Sequence, residues 1–458
     1  MNTQETIAAI ATGGSNSGIG IIRISGEEAV AVADRIYRSP KRKCLKEVES
    51  HTVHYGYIME KDEILDEVLV LVMRGPSTYT GEDTVEIDCH GGMLVMERIL
   101  RAVIRNGARL AQPGEFSKRA FLNGKMDLSK AEAVMDLIQA KNEYALKSSV
   151  SQLRGALYDK ITGARQEILH EIAFIEAALD DPEHISLDHY PEKLGAKLRK
   201  LEEDLIKLKD SFQNGRMIRE GIRTVIVGKP NAGKSSLLNL LLGEERAIVT
   251  DVAGTTRDIL EENMNLSGIS LNIVDTAGIR TTEDQVEKIG VSKARAYARD
   301  ADLIIYVVDS STSLDESDEE IIELIRERKA LVLLNKTDLD AVTTEEELEK
   351  RVGHPIIPIS AKEKTGVENL EKALKDMFFH GEVSFNDQVY ITNVRHQRAV
   401  EEAIDSLKLV EQSVRDQMPE DFYSIDLRNA CDALGAITGD TVGEDLVNEI
   451  FSKFCMGK

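Results

Sequence analysis

Apolar positions along the chain change their spacing at three points, and each change marks a domain. Over 1–122, short β-rich runs at 19–24, 52–58, 68–73 and 84–88 mix with a helical stretch at 93–105 and Gly-rich turns, the texture of an α+β domain. From about Leu128 the period shifts. Leu146, Val150, Leu153, Leu157, Ile161, Ala164, Ile168, Ile172, Ile175 and Leu179 step by three and four and give one apolar helix face. After a break at Asp181-Pro182, Leu194, Leu198, Leu201, Leu205, Leu208 and Phe212 repeat the pattern, which core or coiled-coil packing explains. At Thr224 buried strands begin to alternate with helices (TVIV, ISLNIV, LIIYVVD, ALVLLN), as in a parallel doubly wound sheet. That texture ends near Phe379, and Ala403, Leu407, Val410 and Val414 return to helical spacing. The pattern predicts a multidomain α/β chain: an α+β domain at 1–122, an all-α helical domain in two halves at 123–219 and 381–458, and an α/β domain at 220–380 inserted between them. Its joints fall at Arg219-Glu220-Gly221 and His380-Gly381.

A length of 458 residues, at about 150 per domain, agrees with three domains. Lys and Arg number 57 against 80 Asp and Glu, a net charge of −23, which disfavours a broad basic sheath for nucleic acid or anionic lipid. Any RNA contact must be local. The 42% hydrophobic and 30% charged residues fit globular, soluble domains and not a disordered chain. Cys44, Cys89, Cys431 and Cys455 lie far apart with no CxxC pair, so neither a disulfide framework nor a zinc knuckle is legible. No run of about 18 apolar residues occurs, and the first residues, MNTQETIAAIAT, carry no Lys or Arg. A cytoplasmic protein with no membrane span is expected.

The inserted α/β segment carries the chemistry. GKPNAGKS, Gly228 to Ser235, fulfils G-x-x-x-x-G-K-[ST] directly after the strand TVIV and before the helical SLLNLLL that opens at Ser236. Backbone N–H groups over Asn231, Ala232 and Gly233 and the following helix N-terminus suit phosphates; Lys234 suits the β and γ oxygens, and the Ser235 hydroxyl suits Mg²⁺. Asp275, Thr276, Ala277 and Gly278 follow another strand, where a carboxylate can join the Mg²⁺ shell and a Gly amide can sense the γ-phosphate. Asn335-Lys336-Thr337-Asp338 follows ALVLL. The Asp338 carboxylate can accept from both the ring N–H and the exocyclic amine of guanine, a pair adenine does not offer. Ser360-Ala361-Lys362 after IIPI fits the loop that closes over the base. Between these, TDVAGTTRD (Thr250, Asp251, Val252, Ala253, Gly254, Thr255, Thr256 and on to Asp258) suits a switch, with Thr255 and Thr256 placed to complete Mg²⁺ coordination. After DTAG, where many such GTPases place a water-orienting Gln, the chain has Ile279. Two replacements stand out: Asn231, whose amide oxygen can help hold a monovalent cation near the phosphates, and Glu287. A solvated helix residue is the plainer reading of Glu287.

These motifs, together with TIAAIAT and GIIRISG near the N-terminus, TGEDTVEIDCHGG, PGEFSKRAFLNGKMDLSKAEAV and the terminal FCMGK, resemble the tRNA modification GTPase MnmE (TrmE) family over essentially the whole chain. The resemblance implies an N-terminal folate-binding and dimerising domain, a helical domain and an inserted Ras-like P-loop G domain. It implies a homodimer that assembles with an FAD-dependent partner, MnmG (GidA), in a heterotetramer or larger complex. With that partner, which holds the FAD, the family modifies carbon 5 of the wobble uridine (U34) of certain tRNA molecules. The one-carbon donor is 5,10-methylenetetrahydrofolate, with 5-formyltetrahydrofolate as an analogue. Carried over residue by residue, the potassium site falls on Asn231, Thr250, Val252 and Thr255, the Mg²⁺ ligands on Ser235 and Thr256, the water-orienting carboxylate on Glu287, and the folate site on Arg23, Glu86, Lys125 and Lys458. Cations there suit the glutamyl carboxylates of a folate, and a carboxylate suits the donor edge of a pterin.

Cys455 lies four residues from the end, as in a prenylation box, but Gly457 is not aliphatic and Lys458 is atypical there, so lipidation is rejected. A thiol before Gly and Lys suits an active-site arm, which makes Cys455 a candidate catalytic residue. Two other functions compete: a regulatory GTPase of the ribosome-assembly type with flanking binding domains, and a folate-dependent transferase with a vestigial G domain. The folate-type residues argue against the former and the complete GTP motifs against the latter.

Overall fold

The computed structural model describes residues 5–13, 15–244, 262–266, 268–274, 299–379, 389–455 and 457. Its chain contacts separate two units, Met1–Met135 with Gln152–Glu202 and Ala399–Lys458, and Asp136–Ser151 with Glu203–Arg398. Segments 136–151 and 203–219, expected in the helical domain, thus group with the residues of the parallel sheet.

In the first unit the two-residue period of the N-terminal runs becomes a seven-stranded sheet. Its strands are β1 (Ile7–Ile10), β2 (Gly20–Ser25), β3 (Tyr37–Arg38), β4 (Thr52–Glu60), β5 (Glu63–Met73), β6 (Thr84–Cys89) and β7 (Arg109–Leu110), in the order β3-β4-β5-β6-β2-β1-β7. Only β1 and β7 pair in parallel; the other pairs are antiparallel. Ile22, Ile24, Val70, Val72, Val85 and Ile87 point to one face, where Val30, Ile36, Met96, Ile99 and Val103 of helices Ala29–Ile36 and Met93–Arg105 complete a core. The opposite face is divided. At β4 and β5 it leaves Val53, Tyr55 and Leu69 exposed, whereas at the β1 end Phe116 of helix Glu115–Leu122 and Tyr79 pack on Ile7 and Ala9.

The motifs TGED and PGEFSKRAF lock this helix down. Arg119, 3% exposed, donates to Glu82 at 3.0 Å and to Glu115 at 3.2 Å, while Arg109 pairs with Glu115 at 2.5 Å and with Glu5 at 2.7 Å. Burial pushes the Glu115 carboxyl up, but Arg109, the Gln112 amide and Arg119 outweigh it and hold the group below its ordinary value of 4.5.

The apolar face read from 146 to 179 is two helices. Gly155, in the left-handed region at φ 99°, separates Glu143–Leu153 from Ala156–Asp180 and resets the phase. Leu146 and Leu179 are exposed, and Ala145 and Ala178 take the inward positions. Helix Ala156–Asp180 packs along Glu420–Thr438. Helix Glu444–Ser452 sets Val447 and Phe451, with Phe454 beyond it, against Leu128, Ala131 and Met135.

Among the described residues, the second unit holds six strands: β8 (Ile222–Val227), β9 (Glu262–Leu266), β10 (Ile269–Ile273), β11 (Leu303–Asp309), β12 (Ala330–Asn335) and β13 (Ile356–Pro358). Their order is β13-β12-β11-β8-β10-β9, parallel except for β9 against β10. Both faces are covered, which is why these strands read as unbroken apolar runs. Ile305, Val307, Leu331 and Leu333 join one core with Leu237, Leu241, Leu370 and Leu374, and Ile304, Tyr306, Val332 and Leu334 join another with Ile321, Ile322 and Ile325. Gly221, at φ 89°, caps helix Phe212–Glu220 and turns the chain into β8. Asn142 donates from Nδ2 to the Ile218 carbonyl at 3.1 Å and to Ser270 Oγ at 2.9 Å, fixing 136–151 to the sheet.

Arg119→Met should leave half-buried Glu82 and buried Glu115 without their shared cation, Arg109 alone still holding Glu115, and destabilise the first unit by about 2–3 kcal/mol in denaturant unfolding of the full chain. Because Glu115 is held below its unfolded value, its stabilisation is present above pH 4.5 and lost as pH falls further. Arg119 is the smallest of the charges holding Glu115 down, and Arg109 and the Gln112 amide remain in the variant, so its deficit relative to the parent should narrow only slightly in acid. An Arg119→Met protein that unfolds with the parent at pH 7 overturns this account.

Candidate functional site

Gly228 closes β8 at φ 150°, and a Cβ there would meet the Val307 carbonyl oxygen at 2.4 Å, so only glycine lets the loop pass β11. Asn231 takes a left-handed φ of 62° with its side chain exposed, and Gly233 follows at φ 100°. Helix Lys234–Glu244 then begins with Ser235 and Ser236 exposed at its N-terminus. That end of a helix presents unpaired amides to an anion. Lys234 Nζ donates to the carbonyls of Gly228 at 2.7 Å and Lys229 at 2.6 Å, and burial pushes its pKa down.

The loop beyond β12 meets the phosphate loop through one side chain. Asn335, 2% exposed, donates from Nδ2 to the Ala232 carbonyl at 2.9 Å and accepts from the Ala361 amide at 3.1 Å. Gly233 permits this: a Cβ there would lie 2.1 Å from Asn335 Nδ2. Asp338 Oδ1 accepts from Ser360 Oγ at 2.6 Å, and this hydrogen bond holds the carboxyl below its usual range; Lys362 stands 3.8 Å from the other oxygen. Lys336, at φ 64°, pairs with Asp309 at 2.6 Å. Burial raises the Asp309 carboxyl, and Lys336 and Ser311 more than reverse that. Asn231, Ala232, Gly233, Lys234, Ser235, Asn335, Asp338, Ser360 and Ala361 therefore share the carboxyl edge of one parallel sheet, where ligands of such sheets bind. Thr250 to Thr256, Asp275 to Gly278, Ile279 and Glu287 lie outside the described residues.

In the first unit, Arg23 and Glu86 are register partners on β2 and β6, and Arg23 Nε donates to Glu86 Oε1 at 2.7 Å. Arg23 Nη1 donates to the carbonyl of Gly457 at 3.1 Å, which brings the C-terminal tail to a residue 434 positions earlier. The Tyr79 and Phe116 rings each lie 5.7 Å from its guanidinium. The Gly114 amide donates to the Cys455 carbonyl at 3.3 Å, and Gly457, at φ 87°, lies so close to β1 that a Cβ would meet the Ile10 carbonyl oxygen at 2.5 Å. Cys455 itself is exposed. Lys125 Nζ donates to the Pro76 carbonyl at 2.9 Å and its stem lies against Gly81, in the loop that carries Tyr79. Lys458 lies outside the described residues. Among the described residues no cluster of His, Cys, Asp and Glu is placed to hold a metal, and no helix is long and apolar enough to cross a membrane.

Two family descriptions match this chain: the GTP-binding protein TrmE N-terminus over residues 6–125 and the MnmE helical domain over 128–455. The tRNA modification GTPase MnmE of Lachnoclostridium phytofermentans is 57% identical over 455 residues, 99% of each chain. Proteins of the same name from Acetivibrio thermocellus and Clostridioides difficile are each 48% identical over the full length of both chains. The chain belongs to the MnmE family. Among solved structures, the G domain of the Thermotoga maritima FeoB iron transporter aligns at 26% identity, covering 34% of this chain and 98% of that one, with a TM-score of 0.27. The TrmE-type N-terminal domain falls in the first unit, the six-stranded sheet of the second unit is that of a P-loop G domain, and helices within the matched helical domain fall in both units.

Sequence reading passed over Tyr79, Lys229, Asp309, Asp315 and Asp318, all of which touch the two sites. Asp315-x-x-Asp318 carries the spacing of a capping box, and both of its reciprocal bonds form. For Tyr79 and Asp309 no sequence signal stands out. Gly233→Ala should force the phosphate loop off Asn335 and lower affinity for GTP at least about 100-fold, since both a left-handed residue and a bridging hydrogen bond are lost. Calorimetric titration with GTP checks this, and an unchanged affinity refutes the bridge.

Proposed function

We propose that this protein hydrolyses GTP and, with the FAD-dependent partner MnmG (GidA), adds a carboxymethylaminomethyl or aminomethyl group at C5 of the wobble uridine (U34) of certain tRNA molecules. The observation that carries the GTP half is the Asn335 bridge, which holds a phosphate loop and a fixed Asp338 carboxylate at one sheet edge. The tRNA half rests on full-length membership of the family. In this reading Lys234 and the loop amides hold the triphosphate, Ser235 and Thr256 hold Mg²⁺, and Asn231, Thr250, Val252 and Thr255 hold K⁺. Such a cation neutralises charge that develops between the β and γ oxygens. Glu287 orients the attacking water in place of the absent Gln. Of these residues, Ser235 and Asn231 fit their roles by exposure beside the loop amides.

The folate reading gains support from the convergence of Arg23, Glu86, Tyr79 and the tail. A cation and a carboxylate flanked by aromatic rings suit a flat, hydrogen-bonding ring that bears carboxylates, and the exposed thiol of Cys455 lies on the strap that ends there. The donor is 5,10-methylenetetrahydrofolate. The exposed Val53, Tyr55 and Leu69 on the outer sheet face fit pairing with a second copy, the homodimer expected of the N-terminal domain.

Asp338→Asn should weaken GTP and favour xanthosine triphosphate, whose C2 carbonyl accepts from the new amide; equal GTP binding by parent and variant refutes the assignment. Two activities, modification in cells and GTP hydrolysis by the purified protein, test the rest. Deleting 455–458, or Cys455→Ser, should abolish wobble-uridine modification, read by mass spectrometry of tRNA from cells carrying only the variant, while K⁺-dependent GTP hydrolysis survives. Full modification by the truncated protein would reduce the tail to packing.

A further inference from the structure

The segment 309–318, from the last residue of β11 into the helix Glu316–Ile325, holds none of the nucleotide motifs, yet its carboxylates grip a lysine from each nucleotide loop. Lys229, the residue after Gly228, reaches Asp318 Oδ2 at 2.7 Å, Asp315 Oδ2 at 3.1 Å and the Ser313 carbonyl at 3.2 Å. Asp318 is 1% exposed, and its other oxygen accepts from the buried Tyr306 hydroxyl at 2.7 Å. The Lys229 carbonyl is in turn one of the two acceptors that hold Lys234 Nζ. At the other end of the segment, Asp309 holds Lys336 Nζ, and Ser310 Oγ donates to the Lys336 carbonyl at 3.0 Å.

We infer that 309–318 is a clasp that positions both nucleotide loops: Asp315 and Asp318 set the phosphate loop through Lys229, and Asp309 sets the base loop through Lys336. The inference rests on the GTP reading of this site. Lys229 has a second effect. Asp315 and Asp318 are anions at the root of a loop that takes a polyanion, and Lys229 offsets them; without it, the repulsion grows with each phosphate on the ligand. Lys336 stands on the base side, so releasing it costs every guanine ligand alike.

The test uses the full chain, with affinities for GTP and GDP by calorimetry and for guanosine by competition. Lys229→Met should weaken GTP by about 30-fold, GDP by about 5-fold and guanosine not at all, with a steeper loss at low salt. Lys229→Arg should restore most of the affinity, and Asp318→Asn added to Lys229→Met should restore part of it by removing the unpaired charge. Asp309→Asn should weaken all three ligands by a similar factor, about tenfold. If Asp309→Asn lowers the melting temperature of the chain, Lys336→Met, at a partly exposed position, is measured in its place. Equal losses across the three ligands for Lys229→Met, or no recovery with Asp318→Asn, overturn the phosphate half. Loss confined to GTP for the base-side variant overturns the other. Parent protein that binds no GTP strikes the reading of the site itself, whereas a binding parent with unaffected variants strikes only the clasp.

Discussion

The carboxamide of Asn335 is buried between two loops that share no sequence neighbourhood, and one side chain satisfies a carbonyl of the first and an amide of the second. A buried polar group left unpaired is costly, so the loops are held together by the price of separating them. The rest of the second unit follows from that constraint. Gly233 must lack a side chain to admit the amide, Gly228 must lack one to pass β11, and β8, β11 and β12 must be neighbours so that their ends converge. A parallel sheet supplies that convergence because all its carboxyl ends lie on one edge.

The first unit solves a similar problem with charge. Helix Glu115–Leu122 is pinned by Arg119 between Glu82 and Glu115, and its partner residue Gly114 admits the backbone of Phe451 so closely that a Cβ would lie 2.3 Å from its oxygen. The tail that follows is thereby aimed at β1 and Arg23. Buried ion pairs contribute little net stability compared with an apolar core, but breaking one strands a charge, which makes the arrangement specific. The acidic balance of the chain does not appear at these points, where each cation is matched to named carboxylates.

Much of this was legible beforehand. The doubly wound sheet announced itself because strands buried on both faces cannot alternate, so TVIV, LIIYVVD and ALVLLN read as continuous apolar runs. GKPNAGKS and NKTD were legible because phosphate and guanine each demand a fixed chemistry at a fixed spacing. The long helical face was legible as helix but not as two helices, since Gly155 looks like any tolerated helix glycine until its φ is known. Grouping of 136–151 with the sheet unit was not legible either: it depends on Asn142 finding Ser270, 128 residues away.

What the sequence determined alone was the type of each element and the motifs expected to meet a nucleotide, because local periodicity and short-range motif spacing are properties of the chain itself. What tertiary structure decided was which charges find each other. Arg23 with Glu86 and the Gly457 carbonyl, Lys336 with Asp309, and Lys229 with Asp318 are each separated by many residues and look like solvated surface charges in the linear chain. Strand register and the crossing of loops at a sheet edge bring them within 3.1 Å or less, and no local rule contains that distance.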